Sequence, residues 1–314
     1  MMKIKKTLFH AKLLLFGEYA IMENAKGLSI PHDLYKGVLK FDSRFETSLN
    51  LSNGTLKRYA DFLEKLQQSD DFPADLDLST IRTDLERGMY FDSNIPQGYG
   101  VGSSGALVAA LYESYARNCI LPDKAINREH ILVLKKIFSM MEFYFHGKSS
   151  GIDPLICYLN LPLLIHSAND ISTVGIPKYK KGAGAIFLIN SGVSSSTSSM
   201  IEVFFQKFKS RGFRKTLREE FIEYNDACVE AFLNGSFQPL LKNMKSLSAW
   251  VLQNLRPMIP SSLWEIWSEG IHTNTYYLKL CGSGGGGFIL GFTPDYEMAK
   301  EKLKNYQPEV IFRF

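Results

Sequence analysis

Between Asn94 and Leu111 the chain reads NIPQGYGVGSSGALVAAL, and this stretch constrains the fold more than any other. Glycines stand on alternate residues (Gly98, Gly100, Gly102), two hydroxyls follow (Ser103, Ser104), and an apolar run continues unbroken from Ala106 to Leu111. Alternating glycines let a backbone take positive φ and approach a ligand closely. The serines fall where a helix begins, and a helix start presents unpaired N–H groups and the positive end of its dipole. The combination predicts a nest for an anion, phosphate foremost, with a buried helix behind it. No lysine follows the glycines, which excludes a Walker A loop. Gly100–Gly105 formally matches G-x-G-x-x-G, but Pro96, Gln97 and Gly98 stand where a dinucleotide fold needs its first strand to enter the turn. A tight helix entry without a ligand is the remaining alternative; glycine-rich and charged segments elsewhere weigh against it.

Leu8 to Phe16 reads as a strand carrying Lys12, with a turn at Gly17–Glu18. A lysine in such a strand ordinarily guards an exposed edge; the other reading is a buried cation aimed at a phosphate or a carboxylate. Gly27–Pro31 reads as a turn, followed by strands over 34–42 and 46–52 and a helix over 55–70. Asp70–Asp77 reads as a solvated acidic turn, and Arg87–Ser93 as the strand feeding the glycine loop. Residues 125–146 form a helix with Ile131, Leu134, Ile137, Phe138, Met141 and Tyr144 on one face and Gly147 as its C-cap. Glu142, near that helix's C-terminal end, is unfavourably placed for the dipole, and a Mg²⁺ ion would supply a reason for it. Asp153 before Pro154 has the look of a turn former, and a buried segment follows from Leu155 to Leu164.

Residues 160–178 lead towards a second domain. There the pattern predicts a strand over 183–190, a hydroxyl-rich loop over 191–199 and helices over 215–234, 237–255 and 261–273. Strands Tyr276–Cys281 and Phe288–Phe292 flank Gly282–Gly287, which holds five glycines in six residues. That exceeds what a hairpin turn needs, so either the hairpin is bare and mobile or its backbone passes against a ligand. A helix over 295–305 and a strand over 309–314 close the chain.

Composition narrows the function classes. The net charge of +4, from 36 basic and 32 acidic residues in 314, is too mild and dispersed for a nucleic-acid partner. Four cysteines lie far apart with no C-x-x-C pair, so neither a zinc site nor a disulfide framework is expected, and a reducing cytoplasm is the expected setting. The basic N-terminus opens like a signal peptide, but His10, Lys12 and Glu18 interrupt the apolar stretch behind it, and no run reaches membrane-spanning length; no membrane partner is expected.

Four segments resemble one family. Pro96–Ala106 resembles the phosphate-loop motif of the GHMP kinases (galacto-, homoserine, mevalonate and phosphomevalonate kinases), P-x-x-x-G-L-G-S-S-A-A, with Val101 for Leu and Gly105 for the first Ala. Ala11–Ala20 resembles the family's first motif in its mevalonate kinase form. Tyr19 stands where those enzymes usually carry histidine, and Glu-Tyr-Ala is common in phosphomevalonate kinases. His146–Pro154 is similar to H-G-x-P-S-G-I-D-N, with Ser149 and Pro154 departing from Pro and Asn. Glu142 stands eleven residues before Asp153, as the family has its magnesium glutamate. Lys279–Gly287 resembles the third motif, K-L-T-G-A-G-G-G-G, with Cys281 for Thr and Ser283 for Ala.

The resemblance covers nearly the whole chain and implies an α+β, two-domain GHMP kinase fold. A ribosomal protein S5 domain 2-like N-terminal domain would span 1–178 and a ferredoxin-like C-terminal domain 179–314, with ATP and substrate meeting between them. It implies Lys12 and Asp153 as catalytic residues. Pro96, Gly98, Gly100, Val101, Gly102, Ser103, Ser104 and Gly105, with Gly282, Ser283, Gly284 and Gly285, would bind ATP. Ser104 and Glu142 would ligate Mg²⁺, and Glu18, Tyr19 and Thr197 would face a small-molecule alcohol. Mevalonate leads as that alcohol; phosphomevalonate is the alternative, although no arginine cluster for a phosphorylated acceptor is evident. A silent sensor of ATP and a metabolite is the reading from another class, and a dehydrogenase the weakest. A homodimer is compatible with the resemblance.

Overall fold

The computed structural model describes residues 7–41, 47–122, 126–167, 169–178, 181–194 and 197–314, with the side chains of 47–53, 197 and 198 outside that description. In chain order the elements are β1 (Phe9–Phe16), β2 (Gly27–Phe41), α1 (Thr47–Gln67), α2 (Leu78–Glu86), β3 (Met89–Ser93), α3 (Ser103–Tyr115), α4 (Arg128–His146) and α5 (Ile152–Leu159). There follow β4 (Leu163–Ser167), β5 (Asp170–Thr173), β6 (Ala185–Asn190), α6 (Thr197–Phe208), α7 (Arg211–Thr216), a π-helical turn (Leu217–Phe221) and α8 (Ile222–Leu233). The chain closes with α9 (Phe237–Asn254), α10 (Trp264–Thr273), β7 (Tyr277–Leu280), β8 (Phe288–Thr293), α11 (Tyr296–Lys302) and β9 (Glu309–Arg313).

Two compact units emerge, each assembled from three chain segments. The first comprises Met1–Lys12, Pro31–Pro96 and Gly102–Leu161; the second comprises Leu13–Ile30, Gln97–Val101 and Pro162–Phe314. In the first, the later half of β2 pairs antiparallel with β3, from Gly37 opposite Ser93 to Phe41 opposite Met89. Helices α1 to α5 supply its core, where Tyr59, Leu63, Leu134, Phe138 and Leu155 are fully or almost fully buried. Helix α3 is buried on nearly every side, from Gly105 through Leu111 to Tyr115, as its unbroken apolar run demands. In the second unit, the early half of β2 pairs with β4 and β4 with β5. A separate antiparallel sheet runs in the order β7-β8-β6-β9. Its central strand β6 (Ala-Ile-Phe-Leu-Ile-Asn) is buried from Ala185 to Ile189, as expected of an apolar run bonded on both edges.

Several expectations need correction. The residues read as a strand over 46–52 open α1 from Thr47 onward. Gly27–Pro31 is the first part of β2, not a turn. The acidic run ends as a helix cap: the Asp77 side chain accepts from Thr80 N at 3.1 Å and starts α2, the usual service of an N-cap aspartate. Leu155–Leu164 is not one segment but the body of α5 followed by the start of β4. Residues 160–178 hold the β4–β5 hairpin, and α6 begins at Thr197 inside the stretch read as loop. Among the described residues, no helix is long and apolar enough to cross a membrane.

Candidate active site

Lys12 lies on β1 with its side chain 4% exposed, and its Nζ is 2.9 Å from Oδ1 of Asp153, whose side chain is 40% exposed. The lysine is therefore a buried cation rather than a solvent-facing edge guard. Asp153 is not on a turn: it occupies the first turn of α5, behind an N-cap at Gly151. There its carboxylate gains from the helix dipole as well as from the ammonium. One end of the pair is thus dry and fixed, and the other opens to solvent.

Behind Asp153 stands α3. Its N-cap is Gly102, left-handed at φ 83°, and a Cβ there would lie 2.9 Å from Lys12 Cγ. Gly105 is the tighter point. A Cβ on it would meet the backbone carbon of Asp153 and the nitrogen of Pro154, each at 2.9 Å. Gly105 and Pro154, two of the departures from the family pattern, are therefore in contact. We expect Gly105→Ala to destabilise the protein in denaturant unfolding and to lower turnover. Alanine's helix preference contributes up to about 1 kcal/mol, but forcing a methyl into packed backbone costs about 1–3 kcal/mol and moves the turn that carries Asp153. Unchanged stability and turnover would refute this.

Glu142 is buried on α4, 3% exposed. Ser104 Oγ donates to its Oε1 at 2.9 Å, and Ser149 Oγ donates to its Oε2. Burial, and then the charge of Asp153, push the Glu142 carboxyl up to about 7 against the pull of those hydroxyls and of Lys12. His146 closes α4, and its Nε2 is 3.0 Å from Ser104 Oγ. Ser149 is fixed in turn, its Oγ accepting from Gly151 N at 3.0 Å and its carbonyl from Ser139 Oγ at 2.6 Å. Sequence reasoning does not place Ser149 and His146 in this cluster; a hydroxyl replacing proline beside a buried glutamate is the available signal.

A divalent cation fits this donor set. Ser104 and Glu142 offer hard oxygens, as Mg²⁺ requires. Among the described residues no cluster of three or more His, Cys, Asp or Glu could hold a metal on its own. A magnesium ion that shares its coordination with nucleotide phosphates and water needs only one or two protein oxygens.

The second unit holds the other expected residues. Gly98 and Gly100 have φ of 76° and 77°, and a Cβ on Gly100 would lie 2.6 Å from the Cys281 carbonyl oxygen, so only glycine serves there. Val101 is 1% exposed and packs inward. Pro96 precedes this segment in sequence and ends the middle segment of the first unit. Gly282, Gly284 and Gly285 are all left-handed, at φ 76°, 77° and 79°. The turn is anchored by Gly285 N donating to Met258 O and Gly287 N to Val193 O, both at 2.6 Å. It is not a bare hairpin. Glu18 and Lys279 form an ion pair, their side chains 5% and 3% exposed. Tyr19 Oη donates to the Ser283 carbonyl at 2.6 Å. Lys279 is a contributor that sequence reasoning misses, although a lysine inside an apolar strand is the very signal that singles out Lys12. Thr197 opens α6, and its side chain lies outside the described residues.

Residues 50–160 match the model for the GHMP kinases N terminal domain, and residues 228–308 match the model for GHMP kinases C terminal. No curated protein sequence matches the chain. Among solved structures, it is similar to L. major mevalonate kinase in complex with R-mevalonate, at 18% identity and TM-score 0.65, covering 99% of this chain and 94% of that one. Methanococcus jannaschii mevalonate kinase is similar at 17% identity and TM-score 0.59, covering 97% and 96%. Streptococcus pneumoniae phosphomevalonate kinase in complex with phosphomevalonate and AMPPNP is similar at 16% identity and TM-score 0.59, covering 98% of each. With both family models matched in order, and a mixed helix-and-sheet fold shared over almost the full length, the chain belongs to the GHMP kinases.

Proposed function

We propose that this protein transfers the γ-phosphoryl group of ATP to a small-molecule alcohol, with mevalonate the first acceptor to test and 5-phosphomevalonate the second. The observation that carries the reading is the buried ammonium of Lys12 held 2.9 Å from a half-open Asp153. Asp153 accepts the proton of the acceptor hydroxyl. Lys12 pairs with that carboxylate and holds it in place, and it offsets charge on the transferring group. The first N–H groups of α3 cradle phosphate. Ser104 and Glu142 would hold Mg²⁺, which would supply charge neutralisation at the phosphates.

The choice of acceptor rests on weaker support. The Glu142–Asp153 spacing and the Gly282–Gly287 turn favour mevalonate, whereas Tyr19 leans towards the phosphorylated compound. A coupled ADP-release assay with Mg²⁺ and ATP, offering both acceptors in parallel, decides between them. Turnover on mevalonate alone supports the first reading. Turnover on 5-phosphomevalonate moves the enzyme to the second. Silence on both and on a panel of sugar and amino-acid alcohols would overturn the kinase reading in favour of a nucleotide-binding sensor.

A further inference from the structure

Glu18 and Tyr19 are adjacent in sequence and grip two points of one hairpin. The Glu18 carboxylate takes the Lys279 ammonium at the base of β7. Lys279 Nζ also donates to the Leu280 carbonyl at 2.9 Å. One residue further along, Tyr19 Oη donates to the Ser283 carbonyl at 2.6 Å. The two anchors bracket Leu280–Gly282, where the strand gives way to the glycine turn. The Tyr19 ring is itself clamped, stacked on Phe204 of α6 with centroids 4.3 Å apart and planes 17° from parallel. Burial raises the phenol's pKa, so it remains a neutral donor.

Tyr19 has φ 61°, a conformation that costs a bulky residue energy and persists only where the surroundings over-determine it. The space beside the ion pair, lined by Phe221, Leu247, Val251 and Leu255 as well as Glu18 and Tyr19, amounts to only about 10 Å³. That is the size of one water at most, so no acceptor enters this void. The turn itself has almost no side chains with which to hold a shape, and glycines lose the most conformational entropy on being ordered. Its order must come from outside.

We infer that Glu18 and Tyr19 are positioning residues that clamp the glycine-rich turn Gly282–Gly287 in the backbone shape that binds nucleotide phosphate, rather than residues that read the acceptor. The ligand named here rests on the phosphoryl-transfer reading; the clamp does not. Because Gly100 lies against the Cys281 carbonyl, the clamp also steadies Gln97–Val101 within the same unit.

The test is Tyr19→Phe, which removes one oxygen and leaves the stacked ring. Three quantities are measured: AMPPNP affinity by calorimetry with Mg²⁺, KM for ATP and for the acceptor, and amide hydrogen exchange in the peptide spanning 282–287. The clamp predicts faster exchange in that peptide and about three- to tenfold weaker AMPPNP binding, the worth of one hydrogen bond, with a matching rise in KM for ATP and no change in KM for the acceptor. A raised acceptor KM with unaltered AMPPNP affinity and exchange would overturn it. If the wild-type protein itself fails to bind AMPPNP, the kinase reading falls while the exchange measurement still decides the clamp. Glu18→Gln strands a buried ammonium and can fail to fold; the double variant Glu18→Gln, Lys279→Met removes both charges and should reproduce the faster exchange.

Discussion

Replacing Lys12 with methionine is expected to lower kcat by about 10²- to 10⁴-fold, as severely as Asp153→Asn, with KM for ATP changed far less. Methionine is close in length to lysine and apolar, so the buried stem beside Gly102 keeps its packing. What disappears is the charge 2.9 Å from Asp153. Without it, Asp153 loses its ion-pair partner, and the charge that would offset the transferring group is gone. In a largely dissociative phosphoryl transfer the base contributes less than charge placement, which is why the lysine should matter no less than the aspartate. The measurement is steady-state kinetics on both variants, with thermal unfolding as the control. A fully active, folded Lys12→Met protein would remove Lys12 from the mechanism.

Glu142→Gln is expected to raise the Mg²⁺ concentration needed for half-maximal activity by at least about tenfold. The wild-type carboxyl, pushed up to about 7 chiefly by burial, must shed its proton before it can ligate a cation. Protons therefore compete with magnesium on the acid side: the half-activating concentration should climb as pH falls through 7, and glutamine should abolish that climb. Stability of the metal-free protein carries the opposite sign from an ordinary carboxylate. The folded state holds this proton more tightly than the unfolded chain, whose reference value is 4.5. The contribution is complete below that value and fades as pH rises through about 7. A magnesium requirement that is the same in wild type and variant between pH 6 and 8 would detach Glu142 from the metal.

The parts of this architecture that were legible in the sequence were those in which local and tertiary preferences agree. Helix α4 announced itself through its apolar spacing and the Gly147 cap, β6 through its continuous apolar run, and the left-handed segment before α3 through its alternating glycines. Misreadings arose where one pattern served two periods. Ser48-Leu-Asn-Leu-Ser52 alternates like a strand, yet it opens α1, whose packing is set by residues a turn or more away. Asp77 reads as one of several solvated carboxylates because its capping role depends on the single backbone N–H it meets. Lys12 and Asp153 lie far apart in sequence, and residue patterns alone left both with ordinary explanations; only the family resemblance linked them. The Tyr19 contact with Ser283 had no counterpart in any local pattern, since it joins a side chain to a carbonyl 264 residues later.

The segmented make-up of the two units bears on the order in which the chain can fold as it is made. Every segment of the first unit lies before residue 162, so it can consolidate, Lys12–Asp153 pair included, once that length has left the ribosome. Leu13–Ile30 and Gln97–Val101 belong to the second unit, and Glu18, Tyr19 and Gly100 within them meet partners encoded as late as Lys279, Cys281 and Ser283. During that interval Glu18 and Tyr19 are held by nothing they will later grip. A chain made only that far would possess the Lys12–Asp153 pair and the start of α3 but no glycine-rich turn, so synthesis of Gly282–Gly287 is the step that completes the proposed nucleotide-binding elements.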